Sequence, residues 1–388
     1  MKGPSAMKGS AALILVIIML ALITTVGIEI AARSQVSAKL VTYRRDDAKA
    51  YELAKAAYRW ALLRLQLDTT LDQIPAIPGT NFGGKKDDLT ELQWNMALPY
   101  PFPVQSLTNK ETPEQIAEKL GGSFTSQIFD ESSKINLNDV GSGGLETRKT
   151  WSGASAVLED LLLSPRFSVY TKGKDHRELL WALEDWIDSD SEVNHMAGGL
   201  EDTEYRTPNP YFKVKNGPLY TVSEIRLLKP VTEELYQELL PFVTVYPFNA
   251  KLPKVSTQPV QPQGKINVNT APVELLAAIF NRQVLPNARA RLECAQLVVK
   301  YRQNVAFRSI KGQEPSFQSF LKAQCAGEDK GLETQKTISQ YVEPILDVRS
   351  DLFRIEATGI VGDVQKTIHA VLSRKNPGSP KLYYWKVL

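Results

Sequence analysis

Two cysteines and three histidines in 388 residues leave little material for thiolate, redox or histidine chemistry. Cys294 and Cys325 stand far apart, and no C-x-x-C pair exists to build a zinc or dithiol motif. His176, His195 and His369 are dispersed along the chain. Neither a G-x-S-x-G elbow nor a complete phosphate-cradling glycine loop occurs, so nothing points to acyl transfer or nucleotide binding. An excess of charge is missing too. The 46 basic and 43 acidic residues leave a net +3, too even a balance for a chain whose main partner is nucleic acid. The reading is of a protein that is not an enzyme.

Long apolar runs are also scarce, with one exception. From Ser10 to Ile28 the chain carries no charge and is rich in Leu, Ile, Val and Ala. At about 1.5 Å per helical residue it reaches roughly 28 Å, close to the hydrocarbon thickness of a bilayer. Ala31, Ala32 and Ser34 imitate the small-residue site of a cleavable signal peptide. Against that reading, helix formers continue to about Leu67 without Pro or Gly after Gly27. A spanning helix that extends into a polar stalk fits better. Lys2 and Lys8, ahead of the run, orient the N-terminus to the cytoplasm by the positive-inside rule. The body then lies across the membrane, where Cys294 and Cys325 either pair as one disulfide or stay as buried thiols.

Beyond the run, Ala50, Ala54, Ala57, Ala61 and Leu65 recur at helical spacing, widened by Leu53 and Trp60, and predict a packed face. Residues 72–110 read as loop, with Pro75, Pro78 and Gly79 ending the helix and a short helix expected over 114–120. Residues 124–129 alternate as a strand. They lead into Ile135-Asn-Leu-Asn138, a pattern that returns as Ile266-Asn-Val-Asn269 before another helix. There Thr270 or Asn269 is the expected cap and Pro272 the first-turn residue. Helices are predicted over 157–163, 178–187, 221–228, 232–240, 271–279, 289–302 and 317–323, with a Pro- and Gln-rich linker over 247–264. Residues 351–360 and 366–372 alternate at period two around Gly362-Asp363, an antiparallel hairpin that would pack on the long helix.

Asp185, Asp188, Asp190, Glu192, Glu201, Asp202 and Glu204 crowd one segment. Carboxylates this dense are either solvated or bound to a hard cation, and an all-oxygen donor set suits calcium. Asp188-Ser-Asp190-Ser-Glu192 opens like an EF-hand loop, but Val193 occupies the sixth position that such a loop gives to glycine. His195, beside Asn194, is either a further ligand or an exposed loop residue.

Lys8-Gly9 before Ser10 and the apolar helix resembles a type IV prepilin-type leader. The wider text carries the likeness further: residues 129–138, Trp186-Ile-Asp-Ser-Asp190, Gly199-Leu-Glu-Asp202 with Tyr205, Pro210-Tyr211, Asn216, Ser223-Glu224, residues 266–271 and the closing hairpin. Most such chains carry Glu at the fifth mature position, and here that position is Ile14. Together these motifs resemble the minor pseudopilin K family of type II secretion (general secretion pathway protein K). The resemblance implies an α+β, pilin-like fold, with a long N-terminal helix on an antiparallel sheet and a large inserted helical domain. It divides the chain into a leader (1–9), a transmembrane helix (10–28), stalk and first part of the core (29–140), the insert (141–345), and the closing hairpin and tail (346–388). It implies cleavage between Gly9 and Ser10 by a prepilin peptidase, with methylation, and a single-pass protein of the bacterial inner membrane with a periplasmic body. It implies calcium in the insert, carried onto Asp188, Asp190, Glu201, Asp202 and Asn216. The implied partners are minor pseudopilins of the I and J types at the tip of the pseudopilus, where this subunit helps start assembly.

A type IV pilus or DNA-uptake pilin would share the anchor, and residues 266–276 resemble the start of a helix-hairpin-helix. Residues 280–288 lack the glycine pair whose amides meet phosphate, so nucleic acid is not an expected partner.

Overall fold

The computed structural model describes residues 5–71, 98–100, 121–140, 153–171, 175–188, 193, 213–248, 263–280, 282, 285, 287–325, 343–376 and 379–388. The described N-terminal residues form one helix, α1 (Ser5–Leu71). Its residues from Leu13 to Ile30 are exposed along their length, so the apolar half projects away from the body. It is long and apolar enough to cross a membrane.

The second half of α1 packs as its periodicity predicts. Ala50, Ala54, Ala57, Ala61 and Leu65 are buried; the last four face Ile128, Phe353, Ile355, Ala357, Ile368, Ala370 and Leu372, and Ala50 packs with Val361 and Val364. Small residues on the helix and a glycine on the sheet bring the two backbones together. A Cβ on Gly359 would lie 2.1 Å from the Ala50 carbonyl oxygen and 2.6 Å from the Ala54 nitrogen. Lys366 reaches Asp47 at 3.1 Å along the same seam.

The sheet has five antiparallel strands: β1 (Leu98–Tyr100), β2 (Ser123–Asp130), β7 (Leu352–Val361), β8 (Val364–Ser373) and β9 (Lys381–Val387), in the order β1-β2-β7-β8-β9. β7 and β8 form the hairpin expected from their alternation. Gly362, at φ 57°, makes the turn that a side chain would strain. The alternation that predicts the hairpin ends at Leu372, and β9 is a further strand beyond it. The strand edges the sheet, and its Trp385 meets Tyr58 of α1 edge-on at 4.9 Å.

β2 and β7 are hydrogen-bonded neighbours, yet the segment between them is a domain in itself. It contains β3 (Ile135–Asn136), α2 (Gly153–Leu162), α3 (Ser168–Thr171), α4 (Glu178–Ile187), α5 (Glu233–Leu239) and β4 (Val243–Thr244). After these come β5 (Ile266–Asn267), α6 (Val273–Ile279), α7 (Ala288–Arg302), α8 (Phe317–Gln324) and β6 (Leu346–Asp347). β3 pairs in parallel with β4, and β5 in parallel with β6. The α+β, pilin-like architecture with a mainly helical insert is therefore the observed one.

The I-N-x-N repeat marks two copies of one unit. In the first, Asn136 Oδ1 accepts from Asn138 N at 3.0 Å; in the second, Asn267 Oδ1 accepts from Asn269 N at 2.8 Å. Each copy thus bends its strand end with the same side-chain turn. Local capping closes the helices: Thr232 Oγ1 accepts from Leu235 N at 3.3 Å, and Asn287 Oδ1 accepts from Arg289 N at 2.9 Å. Two details differ from expectation. Residues 222–227 form a 3-10 helix, tightened by Glu224 Oε1 accepting from Thr221 N at 2.9 Å. Pro272 is the N-cap of α6 rather than a first-turn residue. Neither candidate cap is used there, because Asn269 donates to Phe307 O within the domain and Thr270 donates to Asp130 of β2. The helix expected over 114–120 and most of the 72–110 and 247–264 loops lie outside the described residues.

Candidate functional site

The acidic stretch starts on α4, whose Leu179, Leu180, Leu183, Trp186 and Ile187 are driven inward by helical periodicity. That same burial carries Glu184 and Asp185 out of water. Asp188 caps the C-terminus in extended backbone (φ −68°, ψ 177°), with its N–H donating to Glu184 O at 3.0 Å. The chain returns at Gly217, whose N–H donates to Trp186 O at 3.3 Å. That bond sets Asn216, in the left-handed region at φ 46°, beside the last turn of α4.

Carboxylates at a helix C-terminus sit at the negative end of the macrodipole, where charge of their own sign is disfavoured. The crowding shows in Glu184. Burial first, then Asp185 and Asp188, push its carboxyl up to about 8. An oxygen-ligated cation would relieve this excess of negative charge, and Asp188 and Asn216 offer oxygen donors on the two chain segments that meet there. A carboxylate and an amide oxygen are donors of the kind a hard cation takes. Of the other expected ligands, Asp190, Glu201 and Asp202 lie outside the described residues, as does His195. Among the described residues, no three His, Cys, Asp or Glu side chains converge in a metal-holding group. Glu184 is not among the residues that the sequence singles out; its only signal there is a spacing of four residues from Asp188.

The remaining singled-out residues are placed apart. His176 bonds Glu159 at 3.1 Å in the first copy, while His369 lies on β8 opposite Glu356. Cys294 of α7 is joined to Cys325, just past α8, with an S–S distance of 2.00 Å. Gly9 and Ser10 lie within the helical backbone of α1, and Ile14 is exposed on its surface.

The family model for type II secretion system (T2SS), protein K matches residues 133–248. Against type II secretion system protein K of Pseudomonas aeruginosa, the chain is 33% identical over 160 residues, 41% of each protein. Against that of Klebsiella pneumoniae it is 28% identical over 201 residues, 51% of each. A third match, from Pectobacterium carotovorum subsp. carotovorum, is 27% identical over 292 residues, 73% of this chain and 74% of the relative. The first two alignments thus span about half, or less, of the relatives' length. In fold, the chain is similar to one in the crystal structure of the GspK-GspI-GspJ complex of the enterotoxigenic Escherichia coli type 2 secretion system. That similarity has a TM-score of 0.52 at 21% identity and covers 92% of this chain and 99% of the other.

Proposed function

We propose that this chain, whose residues 133–248 match the type II secretion system protein K family, is a minor pseudopilin at the tip of a periplasmic pseudopilus. In this role it joins minor pseudopilins of the I and J types and helps start filament assembly.

Ile14 carries the reading. If the leader ends at Gly9, Ile14 is the fifth mature residue, where most relatives of the prepilin class hold a glutamate. A carboxylate inside the bilayer end of a helix is costly unless paired, and its pairing group would be the amine of a neighbouring subunit. A subunit with nothing beyond it has no such neighbour, so an apolar residue is the favourable choice there. The insert between β2 and β7 agrees, because it enlarges the head of the molecule at one end of α1.

α1 anchors the precursor in the inner membrane, N-terminus in the cytoplasm, until prepilin peptidase cuts between Gly9 and Ser10. A periplasmic body is supported by the Cys294–Cys325 disulfide, since such bonds persist in oxidising compartments. Calcium, held by Asp188 and Asn216 with Asp190, Glu201 and Asp202, would serve as a fold clamp at the end of α4 rather than as a catalyst.

Immunogold labelling of assembled pseudopili tests the central claim. Label confined to one end is expected, and label along the shaft would overturn it.

A further inference from the structure

The inserted domain meets the sheet through two chain crossings, residues 131–134 after β2 and residues 348–351 before β7. Two short crossings make a natural hinge, and relative motion is the default between domains so joined. Here the crossings lie side by side and are bonded to each other. Glu131 N donates to Leu352 O at 3.0 Å, while Ser132 Oγ accepts from Asp351 N at 3.2 Å and Leu352 N at 3.1 Å.

Asp130 stands at the centre, buried at the end of β2. Its Oδ1 accepts from Ser132 N at 2.7 Å, and its Oδ2 accepts from Ser350 Oγ at 2.5 Å and from Thr270 Oγ1. The second copy closes the ring. Asn267 donates its N–H to Ser132 O at 2.8 Å and its Nδ2 to Ser350 Oγ at 2.7 Å. Arg374, just past β8, ties the node to the stalk. Its N–H donates to Asp351 O at 2.8 Å and its Nε to Ser350 O at 3.1 Å, while its guanidinium pairs with Asp68 of α1. On the other copy, Tyr246 meets Tyr383 and Tyr384 of β9 at 6.0 and 6.5 Å.

We propose that this node is a lock. Asp130, Thr270 and Ser350 hold the helical domain in one orientation on the stalk, so that the two move as a single body. The physical reason is the buried carboxylate. Sheet, crossing and second copy must all be in register to supply its donors, and separating them strands a buried anion without hydrogen bonds.

The test is a distance distribution between spin labels in the full chain in detergent micelles. Labels go on Gln127→Cys of the sheet and Glu234→Cys of the insert, both exposed positions. A single narrow distribution is expected, and it should broaden in a Thr270→Val, Ser350→Ala background whose circular dichroism is unchanged. A broad distribution without those two changes, or an unaltered narrow one with them, overturns the proposal. If the double variant does not fold, hydrogen exchange on the unmodified chain decides. Amides of Glu131 and Asp351 exchanging as slowly as those of β7 support the lock, and faster exchange than both domains overturns it.

Discussion

Asn138 and Asn269 occupy the same position in the two copies of the helical unit. Asn138 Oδ1 accepts from Leu219 N at 2.7 Å, and its Nδ2 donates to Leu219 O at 3.0 Å and Val245 O at 2.8 Å. Asn269 repeats the pattern on Phe307 N at 2.9 Å, Phe307 O at 3.0 Å and Val348 O at 3.0 Å. Each side chain closes a backbone gap that no ladder fills. Replacing Asn138 by Leu would strand one buried N–H and two carbonyls. At about 1–3 kcal/mol per unsatisfied group, partly relieved by relaxation, a loss on the order of 3–5 kcal/mol is expected by denaturant titration. Asn269→Leu should cost less, because Asn269 is only half-buried.

Gly359 sets the distance between helix and sheet. Gly359→Ala places a methyl carbon 2.1 Å from the Ala50 carbonyl oxygen, a backbone atom that cannot swing aside. Overpacking of this kind costs about 1–3 kcal/mol, and here α1 must lift, so the upper end or beyond is expected. A lowered Tm with increased proteolysis of α1 beyond Ala50 would report it; an unchanged Tm would show that the seam is looser than its geometry.

Reduction of the Cys294–Cys325 bond should weaken the second copy. The bridge closes a separation of 31 residues. By the chain-entropy account, a loop of that size contributes roughly 3–4 kcal/mol. Denaturation with and without reductant measures it, and Cys294→Ser with Cys325→Ser should reproduce the reduced value.

Chelation addresses the calcium clamp. Removing the ion should lower the Tm and raise hydrogen exchange over residues 185–220. Saturation at a hundredfold excess over Kd contributes about 2.7 kcal/mol. Asp188→Ala should lower the Tm and abolish the response to added calcium. A chain indifferent to both would leave the acidic segment as a solvated loop.

Acidity should tighten the fold between pH 4 and 6. Burial raises both Asp130 and Asp139 to about 6, against the hydrogen bonds that each accepts. A carboxyl whose folded pKa lies above its unfolded value contributes stability that is present below the unfolded pKa and lost as pH rises through the folded one. Each shift corresponds to about 3 kcal/mol across that window. Around Asp130 the charged neighbours are Glu131, which Lys134 and Arg354 pair, and Arg374, which Asp68 pairs. Asp130→Asn and Asp139→Asn should therefore each flatten the pH dependence of the unfolding free energy. Parallel curves for variants and parent would remove these two groups as its source.

The sequence by itself determined α1, the β7–β8 hairpin and most of the helices. These are local periodicities, in which each residue's neighbours in space are its neighbours in the chain. The stripe from Ala50 to Leu65 and the alternation around Gly362 needed no knowledge of what they pack against. The acidic cluster is legible as composition, whereas Glu184 belongs to it only because α4 buries its last turn. Tertiary structure alone decided the rest. β9 is an edge strand whose exposed, irregular pattern says little until β8 lies beside it. Thr270 reads as a helix cap and instead holds Asp130, because a hydroxyl's partner is set by which distant chain segment arrives next to it. The I-N-x-N repeat was visible as text, but its asparagines acquire their task from Leu219, Val245, Phe307 and Val348. Those partners are long-range backbone groups, and burial without water is what obliges each of them to be bonded.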